Sequence, residues 1–311
     1  MLAALLVAAS ARAEQLFPCP ENPLLELNGA KQDHALWLPN ERQNCSCPPG
    51  MSVTAALPGG ELAEIPAKVC RIPMEGLRLQ PMIIYGGDLQ AIGPTGSGLM
   101  QGNYQVRGEA SKRALGGRAV MIDVGANMGM TSIAYALAHP SITVHAYELN
   151  PGTFAFLQRN IAANGLIGRV IPHNIGLGRG TVRISHCAMT ARFGNQMLAS
   201  KKYQIRLKCR SAGCKHLHTH LKNCTDSDPR QYDMPTTTFD AALNTAGGSA
   251  GVLKVDCEGC EWDILDDIVT AKRMQRIGRA VGDCHHVGRE IVSAKRVSLC
   301  QRVLERSHSP R

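Results

Sequence analysis

The sequence predicts an α/β protein with an open, mostly parallel sheet, because short apolar strands alternate with helical segments from about residue 119 onward. A chain of 311 residues with 44% hydrophobic and 19% charged residues can form a core of one large domain or two small ones. It is too apolar for a disordered chain. No stretch reaches the roughly 18 consecutive apolar residues of a membrane helix, so we expect no membrane span in this sequence.

The predicted elements follow from apolar spacing and from punctuation by glycine and proline. Ile133, Ala134 and Leu137 recur at helical spacing before Pro140, and Gly165 ends the next helix. Right-handed crossovers between such elements imply a doubly wound, Rossmann-like sheet with helices on both faces. The elements are strands at 119–124, 142–147, 169–174, 252–255 and 279–281, and helices at 131–139, 153–164, 261–268 and 290–304.

The amino-terminal part differs in texture from the rest. Residues 14–115 contain eleven of the seventeen prolines, which predicts irregular structure with short strands packed onto a neighbouring domain at 116–311. Residues 1–13 combine an apolar run with Ala11-Arg12-Ala13, the pattern of a signal peptide cut before Glu14. Together with twelve cysteines, this favours the secretory pathway or an extracellular location over the cytoplasm.

Two further segments call for an interpretation. Residues 187–235 interrupt the alternation with a run rich in cysteine and histidine, for which we prefer a disulfide-pinned insertion to a zinc site and predict no metal. Residues 271–311 contain ten Lys/Arg against three acidic residues. No aromatic residues are interleaved there, so a solvated basic helix face is favoured over a nucleic-acid surface.

The stretch from Asp123 to Gly129 carries the strongest chemical signal. It lies at the carboxyl end of the first predicted strand, where ligands of open parallel sheets bind, and Gly125 and Gly129 allow a close backbone approach. Glu148 ends the second strand, where a carboxylate accepts the hydroxyl hydrogens of a ribose. This combination predicts a nucleotide-type site.

The type of nucleotide follows from what the turn lacks. A dinucleotide fingerprint requires glycine at the positions that Asn127 and Met130 occupy, which disfavours a pyrophosphate. Asp123 at the head of the turn would repel a phosphate, whereas it suits the cationic amino-acid end of S-adenosylmethionine. The residues therefore favour a methyltransferase over an oxidoreductase.

A second group of motifs makes a family resemblance specific. The block from Lys254 to Trp262, with Asp256 and Glu258 after the fourth strand, is the most distinctive of them. The chain resembles the FkbM family of S-adenosylmethionine-dependent O-methyltransferases over roughly residues 119–286. The other motifs of the resemblance are 123–129, 148–150, 174–178, 238–240 and 283–285.

The resemblance implies a role for each matching residue. Asp123, Gly125, Asn127 and Gly129 are expected along the methionine part of the cofactor and Glu148 at its ribose. Asn174 is expected near the adenine, and Asp256 beside the reactive methyl group and the acceptor. The chain departs from the family pattern at Leu149 and Asp283, and two final strands of the usual seven-stranded sheet are not found after residue 304, so either residues 18–108 replace them or the chain is truncated.

The sequence thus predicts a class I methyltransferase that transfers a methyl group to a hydroxyl oxygen of a small molecule or glycan. A base must take the hydroxyl proton, and Asp256 and His285 are the candidates. Each of these residues also has a structural interpretation, such as a strand-end cap or a packed histidine. A catalytically silent binding protein with the same fold is the first alternative, and a nucleotide-dependent oxidoreductase is the weaker one.

Overall fold

A computed structural model of the chain describes residues 44–46, 50–72, 74, 77–87, 104–185, 230–257, 260–270, 273–282, 300 and 303. The strands are β1 (Asn44–Ser46), β2 (Ser52–Ala56), β3 (Leu62–Pro66), β4 (Lys68–Ile72), β5 (Met82–Gly86), β6 (Val120–Val124), β7 (Thr143–Tyr147), β8 (Val170–His173), β9 (Gly176–Leu177), β10 (Thr181–Ser185), β11 (Gln231–Thr237), β12 (Ala250–Val255) and β13 (Ile277–Gly282). The helices are α1 (Glu109–Gly117), α2 (Met130–Ala138), α3 (Pro151–Ala163), α4 (Phe239–Thr245) and α5 (Glu261–Thr270), with a 3₁₀ turn at Arg273–Arg276.

The central sheet has five parallel strands in the order β13-β12-β6-β7-β8. In chain order, this sheet begins with its middle strand β6 and continues outward through β7 and β8. The chain then crosses to β12, which pairs with the other side of β6. This order confirms the predicted Rossmann-like, doubly wound sheet. It also creates a topological switch point between β6 and β12, at whose carboxyl edge such sheets bind ligands.

Helices cover both faces of this sheet. Residues of α2 and α3 pack with Met121, Val144 and Val252 on one face, and residues of α4 and α5 pack with Ile122 and Leu253 on the other. Neighbouring strand residues point to opposite faces, so a strand buried on both sides reads as a continuous apolar run. That is why the sequence pattern locates these strands to within two residues of their observed ends.

Local sequence signals explain where the helices begin. The side chain of Asn150 caps α3, because its Oδ1 accepts hydrogen bonds from the N–H groups of Gly152 at 2.9 Å and Thr153 at 3.4 Å, and Pro151 fits the first helical position. Thr238 caps α4 through the N–H of Ala241 at 3.2 Å. The predicted helix at 290–304 lies almost entirely outside the described residues.

The described amino-terminal strands are short and pack against α3. β1, β4 and β5 form one antiparallel sheet and β2 and β3 a hairpin, and both lie against α3. Side-chain amides of Asn160 in α3 and of Asn164, the residue after this helix, complete this junction. Asn164 exchanges hydrogen bonds with the backbone of Ile83 at 3.0 and 2.7 Å, and Asn160 with that of Tyr85 at 2.6 and 3.0 Å. The predicted boundary between residues 115 and 116 falls inside α1.

Several predictions concern segments with few or no described residues. The signal peptide at 1–13 lies outside the described part, and so does nearly all of the insertion at 187–235. No helix among the described residues is long and apolar enough to cross a membrane. In the basic region, Arg279 lies on β13 with 2% of its surface exposed, so the interpretation as a solvated face is wrong for this residue.

Candidate active site

The candidate site lies at the carboxyl edge of the sheet, where β6 and β12 diverge. Gly125, Asn127 and Gly129 have left-handed backbone conformations, with φ of 73°, 53° and 91°. The N–H groups of Gly125 and Ala126 donate to the carbonyl of Tyr147 at 3.0 and 2.9 Å, which holds the turn on β7. A Cβ atom at Gly125 would overlap the backbone of Asp256, so only glycine permits this close approach of the two strand ends.

Asp123 lies beneath this turn and has no exposed surface. Its Oδ2 accepts a hydrogen bond from Ser132 Oγ at 2.6 Å, and its Oδ1 lies 3.1 Å from Lys254 Nζ as an ion pair without an aligned hydrogen bond. Lys254 Nζ also donates to the carbonyls of Gly125 at 2.7 Å and Val124 at 3.3 Å. The buried pair therefore ties β12 to the turn.

The charge of Lys254 is stabilised by its carboxylate neighbours. Burial lowers the pKa of this ammonium, but the negative charges of Asp123, Asp256 and Glu148 outweigh that effect and leave the pKa raised. Lys254 is therefore a cation at neutral pH, held among three carboxyl groups. The sequence analysis named Lys254 only as part of a motif. Its position one residue before the end of β12 was a signal that it lies near the carboxyl edge of the sheet.

Glu148 directly follows β7 and is 9% exposed. Its Oε2 accepts from the N–H of Asn127 and its Oε1 from the N–H of Asn150, both at 2.9 Å. Burial raises the pKa of the Glu148 carboxyl to about 7, although these two hydrogen bonds lower it in part. Asn174 Nδ2 donates to the carbonyls of Glu148 at 2.9 Å and Leu149 at 3.2 Å, so it supports the segment that carries this carboxyl group.

Asp256 follows β12 on the other side of the switch point. Its Oδ2 accepts a hydrogen bond from the phenol hydroxyl of Tyr104, whose ring lies 5.7 Å from Lys254 Nζ. Sequence reasoning missed Tyr104, which comes from the amino-terminal part of the chain. His285, the other candidate base, and Glu258 lie outside the described residues.

A buried network holds the backbone next to Tyr104 in place. Tyr135 Oη donates to the carbonyl of Tyr104 at 2.5 Å, and Ser111 Oγ donates to the carbonyl of Gln105 at 2.8 Å. Arg279 donates from Nη1 to Ser111 Oγ at 3.1 Å and from Nη2 to Gln105 Oε1 at 2.5 Å. The position of Tyr104 is thus fixed from the sheet core.

The loop after β12 contains a disulfide between Cys257 and Cys260, whose Cα atoms are 5.5 Å apart. Sequence reasoning placed disulfides at 187–235 and did not predict this one. The described residues contain no group of three or more side chains suited to a metal ion. The choice between zinc and disulfides at 187–235 stays a prediction.

The similarity to known proteins agrees with this geometry. Residues 123–286 match the methyltransferase FkbM domain family. The chain belongs to this family. The match begins at Asp123 and includes the glycine turn, Glu148, Asn174 and the Asp256 loop.

Two curated relatives have related sequences. The chain is 28% identical over 174 residues to 31-O-demethyl-FK506 methyltransferase FkbM of Streptomyces tacrolimicus. The aligned region covers 54% of this chain and 66% of that protein. It is 26% identical over 160 residues to Methyltransferase 1 of Beauveria bassiana, and this aligned region covers 48% of this chain and 62% of that protein. The matched region therefore spans less than two thirds of each relative.

Two solved structures were also matched. One is the S-adenosylmethionine-dependent methyltransferase SibL in its apo form, at 22% identity and a TM-score of 0.24, covering 40% of this chain and 29% of that chain. The other is an O-methyltransferase family protein from Burkholderia thailandensis, at 15% identity and a TM-score of 0.26, covering 62% of this chain and 41% of that chain.

Family membership implies S-adenosylmethionine as the cofactor, and the residues at the switch point fit it. The left-handed turn at Gly125 leaves the strand ends close together without side chains between them. Each oxygen of Glu148 accepts one N–H here and retains a second lone pair, which a ribose hydroxyl can use. The roles of the individual residues remain predictions.

Proposed function

We propose that this protein is an S-adenosylmethionine-dependent O-methyltransferase whose acceptor is a hydroxyl group of a small molecule or glycan. The observation that carries the proposal is the phenol hydroxyl of Tyr104, which donates to Asp256 at the carboxyl edge of the sheet. A carboxylate that accepts a hydrogen bond from one hydroxyl group at this position is chemically suited to accept a hydrogen bond from the hydroxyl group that is to be methylated.

The charges of the site suit a cationic donor. Asp123 and Asp256 outnumber the ammonium of Lys254, and Glu148, with a pKa of about 7, adds negative charge when it ionises, so the local excess among these residues is negative. When bound, S-adenosylmethionine supplies a methyl group on a positively charged sulfur. In the proposed arrangement the turn from Gly125 to Gly129 borders its methionine part, and Glu148 accepts hydrogen bonds from its ribose.

Asp256 is the proposed proton acceptor. An alcohol is a weak nucleophile, so the acceptor hydroxyl passes its proton to a base as its oxygen gains the methyl group. Asp256 serves as that base, and the phenol of Tyr104 orients its carboxylate. His285 is the second candidate for the same role, and it lies outside the described residues.

The cofactor part of the proposal is tested by titration calorimetry with S-adenosylhomocysteine and, separately, with NAD. We expect binding of S-adenosylhomocysteine, weakened by Glu148→Gln, and no binding of NAD. Glu109→Gln on the exposed part of α1 is the matched control and should leave the affinity unchanged. Tighter binding of NAD would support the alternative of an oxidoreductase.

The reaction is tested with methyl-labelled S-adenosylmethionine and a panel of sugar, polyketide, lipid and protein hydroxyl acceptors, with products identified by mass spectrometry. Asp256→Asn should slow turnover about 10²–10⁴-fold, the usual contribution of a general base. Asp263→Asn on α5 is the control. Cofactor binding without methylation of any acceptor would favour the silent binding protein.

We also propose a location in the secretory pathway or outside the cell. Ala11-Arg12-Ala13 after the apolar run and the twelve cysteines support it. Amino-terminal sequencing of the chain expressed in a secreting cell should find Glu14 first. An intact chain that starts at Met1 in the cytoplasm would contradict this proposal.

A further inference from the structure

The disulfide between Cys257 and Cys260 spans the loop that joins β12 to α5. Cys257 is 7% exposed, directly follows Asp256, and lies at the switch point of the sheet. Cys260 is less buried and precedes α5. Both half-cystines therefore lie in the loop that carries the proposed catalytic carboxylate, and Cys257 is adjacent to it in sequence.

This loop is in direct contact with the cofactor turn. A Cβ atom at Gly125 would overlap the carbonyl of Asp256 and lie 2.9 Å from Cys257 Cα, so the two backbones touch with no side chain between them. The N–H of Asp256 donates to the carbonyl of Val124 at 3.1 Å, and the N–H of Cys257 donates to Glu261 Oε1 at 3.0 Å. A displacement of Asp256 or Cys257 is therefore expected to disturb the turn.

The position of Cys260 suits thiol chemistry. Its carbonyl accepts the N–H of Ile264 at 3.2 Å, which places Cys260 at the amino-terminal cap of the ten-residue helix α5. A thiolate released there lies near the positive end of the dipole of the ten-residue helix α5, an environment that stabilises it. A pair of cysteines separated by two residues at such a cap is a common arrangement in reversible thiol–disulfide exchange.

We propose that Cys257 and Cys260 are a thiol–disulfide exchange site for dithiol reductants and that its oxidised form binds the cofactor more tightly. The inference rests on the proposed function, because its readout is cofactor affinity. A dithiol attacks the disulfide, forms a mixed disulfide, and leaves as a cyclic disulfide, while Cys257 and Cys260 gain two electrons and two protons as thiols.

The physical reason for the difference in affinity is pre-organisation. In this proposal the disulfide holds the backbone of Cys257 against Gly125, and its reduction removes that restraint from Cys257. If the binding-competent position of Cys257 is then populated only part of the time, the cofactor binds more weakly. Binding and oxidation are then coupled, and the coupling is reciprocal. Bound S-adenosylhomocysteine must therefore make the disulfide harder to reduce by the same factor.

The test uses the full chain, equilibrated in dithiothreitol buffers of graded ratio of reduced to oxidised reagent, with and without S-adenosylhomocysteine. Alkylation and trypsin digestion report the state of the pair, because cleavage after Lys254 and Lys272 releases both cysteines in one peptide. Calorimetry gives the affinity of each form. We expect the reduced form to bind S-adenosylhomocysteine at least about fivefold more weakly than the oxidised form, which is within the usual range of coupling. The ratio of reduced to oxidised dithiothreitol at the reduction midpoint should rise by the same factor when S-adenosylhomocysteine is bound.

Variants separate this pair from the other cysteines. Cys257→Ser with Cys260→Ser should bind S-adenosylhomocysteine like the reduced wild type and should not respond further to dithiothreitol. If this double variant still loses affinity on reduction, another disulfide is responsible and the inference is overturned. Reoxidation of the wild type should restore tight binding, a measurement that does not depend on how well the variant folds.

Three further outcomes are decisive. Equal affinity of the oxidised and reduced forms overturns the inference and leaves the proposed function intact. A peptide alkylated at both cysteines before any reductant is added also overturns it. Absence of S-adenosylhomocysteine binding in both forms overturns the proposed function, and the inference falls with it.

Discussion

Two buried cations on neighbouring strands have opposite surroundings. Lys254 on β12 is 3% exposed and lies against Asp123 and the carbonyls of the cofactor turn. Arg279 on β13 is 2% exposed and donates to the neutral oxygens of Ser111 and Gln105. The first cation belongs to the candidate site, and the second belongs to the network that holds the segment after Tyr104.

The difference appears in the pKa values. Burial lowers the pKa of both groups, but nearby carboxylates reverse the effect for Lys254 and leave its pKa raised. Burial leaves the pKa of Arg279 lowered, because its hydrogen-bond partners Ser111 and Gln105 are neutral groups. Equal burial therefore has different consequences, because neighbouring charges determine whether a buried cation is stabilised.

Lys254→Met should have the largest effect. It leaves the buried carboxylate of Asp123 without its cation, which typically costs about 3–5 kcal/mol of unfolding free energy. Denaturant unfolding measures this loss. The double variant Lys254→Met with Asp123→Asn removes both charges and should recover a large part of it, whereas a loss below about 1 kcal/mol in the single variant would contradict the assigned pairing.

Glu148 sharpens the comparison, because its pKa is raised to about 7 by burial despite the nearby Lys254. Between about pH 4.5 and 7 the folded protein retains a proton that the unfolded chain has lost, so the stability of the wild type relative to Glu148→Gln should fall as pH rises through this window and level off above it. The full effect is on the order of 3 kcal/mol. Thermal unfolding of both proteins at pH 5 and pH 8 measures it.

The affinity for S-adenosylhomocysteine should change with pH in the opposite direction. The ribose hydroxyls donate to the ionised carboxylate, so binding should strengthen as pH rises through about 7. Calorimetry at the same two pH values tests this. A pH-independent affinity in the wild type would remove Glu148 from the ribose site.

Arg279→Met should cost less than Lys254→Met, about 1–2 kcal/mol, because it removes hydrogen bonds to neutral groups together with the penalty of a buried charge. Amide hydrogen exchange should increase at residues 104–108, which the network holds. If Arg279→Met is as destabilising as Lys254→Met, the distinction between the two cations fails.

Tyr104→Phe should have the smallest effect on stability, about 0.5–1.5 kcal/mol for one hydroxyl hydrogen bond. Its ring and the backbone contacts with Tyr135 remain, so hydrogen exchange at residues 104–108 should stay as in the wild type. Tyr85→Phe is the control for loss of a tyrosine hydroxyl. Increased exchange in Tyr104→Phe would mean that the hydroxyl, and not the network, holds this segment.

Most of the parallel sheet could be predicted from the sequence. Val120–Val124 and Thr143–Tyr147 are mostly apolar segments of strand length, and the helices that follow them carry apolar residues at helical spacing. Asp123, Gly125 and Glu148 were expected at one edge because parallel strands end on the same side of a sheet. The structure brings them together there, so the sequence determined the fold class and the place of the candidate site.

Only the tertiary structure decided which other groups reach that place. Tyr104 lies 152 residues before Asp256 in the chain, and no local spacing relates the two. The pairing of Lys254 with Asp123 and the burial of Arg279 depend on the strand order, because the side chains of β12 and β13 meet partners from elements far away in sequence. Periodicity reports which face of an element is buried, whereas contacts between distant segments are set by how the elements pack.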